Sequence, residues 1–186
     1  EAVPHGEGSM AALISSDFSK LDNLLTKVKK IGVCEIANHN SSEQIVISGH
    51  TKAVQELVNN SDKFSIKRAV LLNVSAPFHC SLMMPAQIKL ENELKEITFN
   101  DPDLPIICNY TAVAENNPLK LKENIINQVT NKVRWKETME YALNKKINKV
   151  LECGSGKVLS GLFKRFSKDF NVYNIETIED LKNFEI

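Results

Sequence analysis

Apolar residues in the first part of the chain alternate between short β-type runs and amphipathic helical stretches. Residues 9–14 form a compact apolar run that suits a strand. Ser15, Ser16 and Asp17 offer helix caps, and Phe18, Leu21, Leu24, Leu25 and Val28 recur at helical spacing, which predicts a helix through about Lys30. Residues 33–37 read as a second strand. The run Asn38, His39, Asn40, Ser41, Ser42, Glu43 reads as turn chemistry. The β-branched Ile45, Val46 and Ile47 predict a third strand, broken by Gly49 and His50. Thr51 then caps a helix through about Asn59, and alternation over 65–72 closes the set with a fourth strand. The order β-α-β-β-α-β is the ferredoxin-like arrangement. It assigns residues 9–72 to a small domain.

Residues 73–186 keep a different rhythm. A loop carrying Pro77 spans 74–79, and a helix over 82–96 puts Met83, Leu90, Leu94 and Ile97 inward, with Pro85 near its start. Residues 105–109 predict a strand, 120–129 and 135–144 helices, 149–152 a strand, 158–166 a helix and 170–173 a last strand. Strands alternating with helices imply a parallel sheet covered on both faces. Three strands make that sheet thin for an open α/β domain.

Composition narrows the function classes. The chain has 186 residues, 42% hydrophobic and 25% charged, which describes a globular protein. Lys+Arg and Asp+Glu are both 23, and a net charge of zero argues against binding nucleic acid or an anionic membrane by bulk electrostatics. No apolar run reaches the roughly 20 residues that span a bilayer, and residues 1–10 lack the charged-then-apolar pattern of an export signal. Cys34, Cys80, Cys108 and Cys153 are scattered singly, so neither a metal site nor a disulfide framework is expected, and reduced thiols point to a cytoplasmic protein.

Candidate chemistry is sparse. Gly154, Ser155, Gly156 and Lys157 fall short of a phosphate loop, because the leading Gly and the Ser/Thr after Lys are missing; a tight strand-to-helix turn is the reading. No serine lies in a Gly-x-Ser-x-Gly elbow. Cys80 reads as a small buried apolar residue. Of the four histidines, His5, His39 and His50 read as terminal or turn residues. His79 follows Ala76, Pro77 and Phe78 on a stiff loop after a predicted strand, where an imidazole can serve as a general base or as a structural group.

The segment Ser75-Ala76-Pro77-Phe78-His79-Cys80 resembles the bacterial malonyl-CoA:acyl-carrier-protein transacylase family. Further pieces match that family in order and spacing. They are Glu1-Ala2-Val3-Pro4 with Gly8 to Leu13, Ala37 to Ser41 with Gln44 to Gly49, Asn127-Gln128, Val133-Arg134-Trp135, and Glu152 to Leu159. The resemblance spans nearly the whole chain. It implies a two-step acyl transfer from malonyl-CoA to the phosphopantetheine thiol of acyl carrier protein, through a malonyl-serine ester. It makes His79 the base and Gln128 the residue whose backbone carbonyl orients the imidazole. It places Asn38 and Asn40 beside the substrate cleft, although turn formation explains them equally well. Phe78 precedes the histidine as in malonyl-selective relatives, where a bulky ring disfavours an α-methyl group. No metal or other cofactor is implied, and a monomer is expected.

The sequence departs from that family in two turns, at Gly154-Ser155-Gly156 and Ser41-Ser42-Glu43. The nucleophile elbow, the oxyanion-hole glutamine and the arginine for the malonyl carboxylate lie upstream of these residues in the family. The expectation is therefore a C-terminal portion, inactive alone: a ferredoxin-like small domain (9–72) and the later part of an α/β-hydrolase-like parallel-sheet domain (73–186). A non-catalytic ferredoxin-like binding module and an acyltransferase module of a polyketide synthase are the alternatives.

Overall fold

A computed structural model describes residues 2–184 of the chain. It divides into two compact units, Glu1–Lys136 and Glu137–Ile186.

The first unit is built on a four-stranded sheet. Its strands are β1 (Gly8–Ile14), β2 (Cys34–Ser41), β3 (Gln44–His50) and β4 (Arg68–Leu71), in the order β2-β3-β1-β4. Every neighbouring pair is antiparallel. Helices α1 (Leu21–Val28) and α2 (Thr51–Asn59) follow β1 and β3, so the element order is the one the hydrophobic pattern predicts. The helices cover one face of the sheet: Leu21, Leu24 and Val28 of α1, with Ala53, Val54 and Leu57 of α2, pack on Ala11, Leu13, Ile45 and Ile47. Met10, Ala12, Ala37 and Val46 form a second cluster. The central strands β1 and β3 therefore read as apolar runs, because residues of both parities are buried.

Local chemistry shifts three boundaries. Ser15 Oγ accepts from Asp17 N at 3.1 Å and Asp17 Oδ1 from Ser19 N at 2.8 Å, so these side chains make turns and α1 begins later, at Leu21. The segment from Asn38 to Ser41 is strand and not turn. It is held extended from outside the hairpin, where Val133 N donates to Ala37 O at 2.8 Å and His39 N donates to Val133 O at 2.9 Å. Only Ser42 and Glu43 turn the chain, with Ser41 opposite Gln44. Gly49 and His50 continue β3, and His50 is the residue before α2.

After β4 the chain passes a loop and a short 3-10 turn, Ser81–Met83, into α3 (Met84–Leu94). Met83 and Leu94 are buried as predicted, but Ile97 is exposed because α3 ends before it. The predicted strand at 105–109 shrinks to β5 (Ile106–Ile107), which pairs antiparallel with β6 (Ala114–Glu115) and is not part of a parallel sheet. The reason is local: Ala112 N donates to Cys108 O at 2.7 Å, and Ala112 has φ 59, so the chain reverses at once. Helix α4 (Pro118–Gln128) is capped by Asn117, whose side chain accepts from Leu119 N and Lys120 N. Helix α5 (Trp135–Asn144) follows.

In the second unit β7 (Lys149–Cys153) and β8 (Asn171–Ile175) pair in parallel through α6 (Val158–Phe166), and α7 (Ile178–Lys182) follows. The parallel pairing predicted for this half is confined to these two strands among the described residues. Glu152 caps α6 from the preceding strand, accepting from Leu159 N at 3.0 Å and Ser160 N at 2.7 Å. Gly154 and Gly156, at φ 132 and 81, make the strand-to-helix turn. Glu176 accepts from Gly156 N there, so a carboxylate stands where a phosphate loop would hold its anion. Phe163 meets Phe170 edge-on, ring centres 4.8 Å apart. No helix among the described residues is long and apolar enough to cross a membrane.

Candidate active site

His79 sits on the loop between β4 and the 3-10 turn, in a backbone conformation that side chains with a Cβ avoid. Its φ is 60, which costs about 1–2 kcal/mol and persists only where neighbours impose it. Those neighbours are on both sides. Pro77 is fully buried and lies against Gly8, where a Cβ would come within 2.4 Å of the proline ring. Gly8 is thus the close approach that lets β1 seat the loop. Cys80 is also fully buried, and its Sγ donates to Pro77 O at 3.1 Å. Burial pushes the Cys80 thiol above its ordinary pKa, so this sulfur is a packing group and not a ready nucleophile.

The ring of half-buried His79 meets the end of α4. Nδ1 lies 2.9 Å from the backbone oxygen of Gln128. A carbonyl can only accept, so this contact places a proton on Nδ1 and leaves the Nε2 lone pair free. Gln128 is the last residue of α4, and the final carbonyls of a helix have no partner within it. The His79 ring satisfies one of them. The same helix end carries partial negative charge. The Gln128 side chain steadies this terminus by donating from Nε2 to Asn131 O at 2.7 Å. Gln128 also lines a cavity of about 300 Å³ with Ile107, Asn109, Tyr110 and Asn124.

The structure therefore brings His79 and Gln128 into hydrogen-bond contact. Phe78 adjoins them with 40% of its surface exposed. Asn38 and Asn40 stand on β2, where Asn38 bridges to Val133. Two residues escaped the sequence reading. Glu35 on β2 accepts from Ser81 N and Ser81 Oγ, both at 2.8 Å. A lone charge inside the apolar run Val33-Cys34-Glu35-Ile36-Ala37 was the available signal. His50 Nδ1 accepts from Val33 N at 2.9 Å, tying β3 to the start of β2. No group of three or more His, Cys, Asp or Glu among the described residues is placed to hold a metal ion.

No family model matches the sequence. Individual proteins do. The malonyl CoA-acyl carrier protein transacylase of Staphylococcus aureus strain MRSA252 is 34% identical over 185 residues, covering 99% of this chain and 60% of the relative. The protein of the same name from Escherichia coli O157:H7 is 39% identical over 165 residues, 89% of this chain and 53% of the relative. Among solved structures, the acyl-carrier-protein-S-malonyltransferase of Bartonella henselae superposes with a TM-score of 0.92 at 42% identity, over 98% of this chain and 58% of that one. By sequence and by fold, the chain is a relative of the malonyl CoA-acyl carrier protein transacylases.

The chain spans about 60% of the length of the first curated transacylases it matches. Another structural relative, a malonyl-transacylase in complex with its type II polyketide acyl-carrier protein, superposes with a TM-score of 0.92 at 33% identity, over 98% of this chain and 59% of that one. The transacylase relatives share the mixed α/β fold along almost all of these residues.

Proposed function

We propose that these residues form the base-bearing part of an enzyme that moves a malonyl group from CoA to the phosphopantetheine thiol of acyl carrier protein. The observation that carries this reading is the His79 Nδ1 contact with the Gln128 carbonyl at 2.9 Å, which leaves Nε2 as acceptor. In the first step a serine oxygen attacks the thioester carbonyl, its proton passes to His79 Nε2, and the C–S bond breaks as CoA leaves with that proton. In the second step the carrier thiol gives its proton to Nε2 and attacks the malonyl-serine ester. The C–O bond breaks and the serine recovers the proton.

The serine must come from outside these 186 residues, since none of theirs lies in a Gly-x-Ser-x-Gly elbow. Phe78 would stand against an α-methyl group on the malonyl unit, and Asn38 and Asn40 would border the cleft from β2. The four-stranded sheet with α1 and α2 is then the ferredoxin-like small domain, residues 9–72. Residues 73–186 form the later part of an α/β-hydrolase-like domain in a monomeric cytoplasmic enzyme. The carrier belongs to fatty acid synthesis, or to a polyketide system as for the relative solved with such a carrier. Incubating the 186-residue chain with radiolabelled malonyl-CoA tests the reading. No stable label is expected, and stoichiometric label on a Ser or Cys of this chain would show that the nucleophile lies here after all.

A further inference from the structure

Strand β2 carries attachments for both halves of the His79–Gln128 contact. On one side, Glu35 Oε2 accepts from the Ser81 backbone N–H and Oε1 from the Ser81 hydroxyl, each at 2.8 Å. Ser81 is two residues beyond His79 and opens the turn into α3. On the other side, Ala37 O accepts from Val133 N at 2.8 Å, and His39 N donates to Val133 O at 2.9 Å. Val133 follows the turn that leaves α4 at Gln128, a turn tied by Gln128 Nε2 to Asn131 O at 2.7 Å. Glu35 and Ala37 are two positions apart on the strand. One strand thus holds the loop that bears the donor and the segment that bears the acceptor.

We propose that Glu35 is a positioning residue for His79. The proposal rests on the reading of His79 as the base. The grip of Glu35 on Ser81 keeps the His79 backbone in the left-handed region and the ring against the Gln128 carbonyl, with its proton on Nδ1. A residue with a Cβ stays in that region only where its surroundings impose it. Pro77, packed on Gly8, holds the side before His79. Beyond the buried Cys80, the chain leaves through exposed Ser81, where the Glu35 carboxylate is the anchor. A carboxylate suits this task because the amide and the hydroxyl both donate, and it accepts on both oxygens. Glutamine offers one acceptor and one donor, so it keeps the amide bond and reverses the hydroxyl bond. Alanine keeps neither.

The test is side-chain nitrogen NMR of the ¹⁵N-labelled 186-residue chain, with amide exchange read in parallel. The wild-type His79 ring is expected in the Nδ1–H form. In Glu35→Ala, the Ser81 amide exchanges at least about tenfold faster, and an Nε2–H population of the His79 ring appears. Glu35→Gln returns the ring toward the wild-type signature. A His79 ring unchanged in Glu35→Ala overturns the proposal. Should Glu35→Ala fail to fold, Ser81→Ala removes the hydroxyl bond and keeps the amide bond. A smaller shift toward Nε2–H then supports the proposal, and no shift overturns it. The wild-type spectrum judges the reading of His79: an Nε2–H ring there refutes the base geometry. The variants judge Glu35 given an Nδ1–H wild type.

Discussion

Gly49→Ala tests how strongly the fold depends on the close approach of β3 to the start of β2. A Cβ at Gly49 would lie 2.0 Å from Val33 O, 2.7 Å from its carbonyl carbon and 2.8 Å from Cys34 Cα. All three are backbone atoms and cannot swing aside. Ordinary contact begins at 3.4 Å, so the strands must part locally by about 1.4 Å. Val33 is bonded twice to His50, through His50 N to Val33 O and Val33 N to His50 Nδ1, each at 2.9 Å. Parting stretches both beyond the roughly 3.2 Å reach of a good hydrogen bond. Two lost bonds at about 1 kcal/mol each and overpacking of about 1–3 kcal/mol sum to about 3–5 kcal/mol. The lower chain entropy of unfolded alanine returns about 0.4–1 kcal/mol. The net loss is therefore about 2–5 kcal/mol, a large share of the stability of an ordinary domain. Urea unfolding followed by circular dichroism measures it, and at a slope of about 2 kcal/mol per molar the midpoint should fall by about 1–2.5 M. A midpoint within about 0.2 M of wild type would refute this reasoning. The same variant moves Glu35, one residue past Cys34, so the His79 ring signals should shift with it.

Other substitutions separate main-chain from side-chain roles. Gln128→Ala retains the carbonyl that meets His79 and should lower malonyl transfer by less than about tenfold, measured in a transacylase that includes these residues; a loss as large as that of His79→Ala would mean the amide acts directly. In the same enzyme Phe78→Ser should raise the methylmalonyl-CoA to malonyl-CoA ratio of kcat/KM by about 10–200-fold, and an unchanged ratio would remove Phe78 from selectivity. Glu152→Ala strips the cap from α6 and should cost about 1 kcal/mol in denaturant unfolding. Burial pushes the Cys34 thiol up to about 12, from a reference of 9.0, with Cys80 and Glu35 adding to the effect. The folded state then binds the thiol proton more tightly than the unfolded chain does. Stability from this group is complete below about pH 9 and is lost by up to about 1.4 kcal/mol per pH unit as pH rises toward 12. The stability gap between wild type and Cys34→Ala should narrow over that range, and a constant gap would contradict it.

Much of the fold was legible because burial writes itself into local periodicity. Helices α5 and α6 have the predicted bounds, since their apolar stripes are set within a few turns of chain. The β-α-β-β-α-β order was legible for the same reason. What local pattern missed depends on distant partners. Asn38 to Ser41 carry turn propensity, yet Val133 draws them into β2. The run at 105–109 looks like a strand in isolation, yet the bond from Ala112 N to Cys108 O turns it into a short hairpin. The site divides likewise. Pro77 and His79 were visible as a stiff loop with a titratable group. Gln128 is 49 positions away and entered only through family resemblance. Glu35 and Ser81 are 46 positions apart, and nothing in their spacing announces a contact.

The central claim is that His79, held at Nδ1 by the Gln128 carbonyl, supplies the base for malonyl transfer. The direct measurement is kcat/KM for malonyl transfer to acyl carrier protein by a transacylase that includes these residues together with an elbow serine, with and without His79→Ala. A fall of about 10²–10⁴-fold, with the variant still folded, is the predicted result. Transfer within about threefold of wild type would contradict the account.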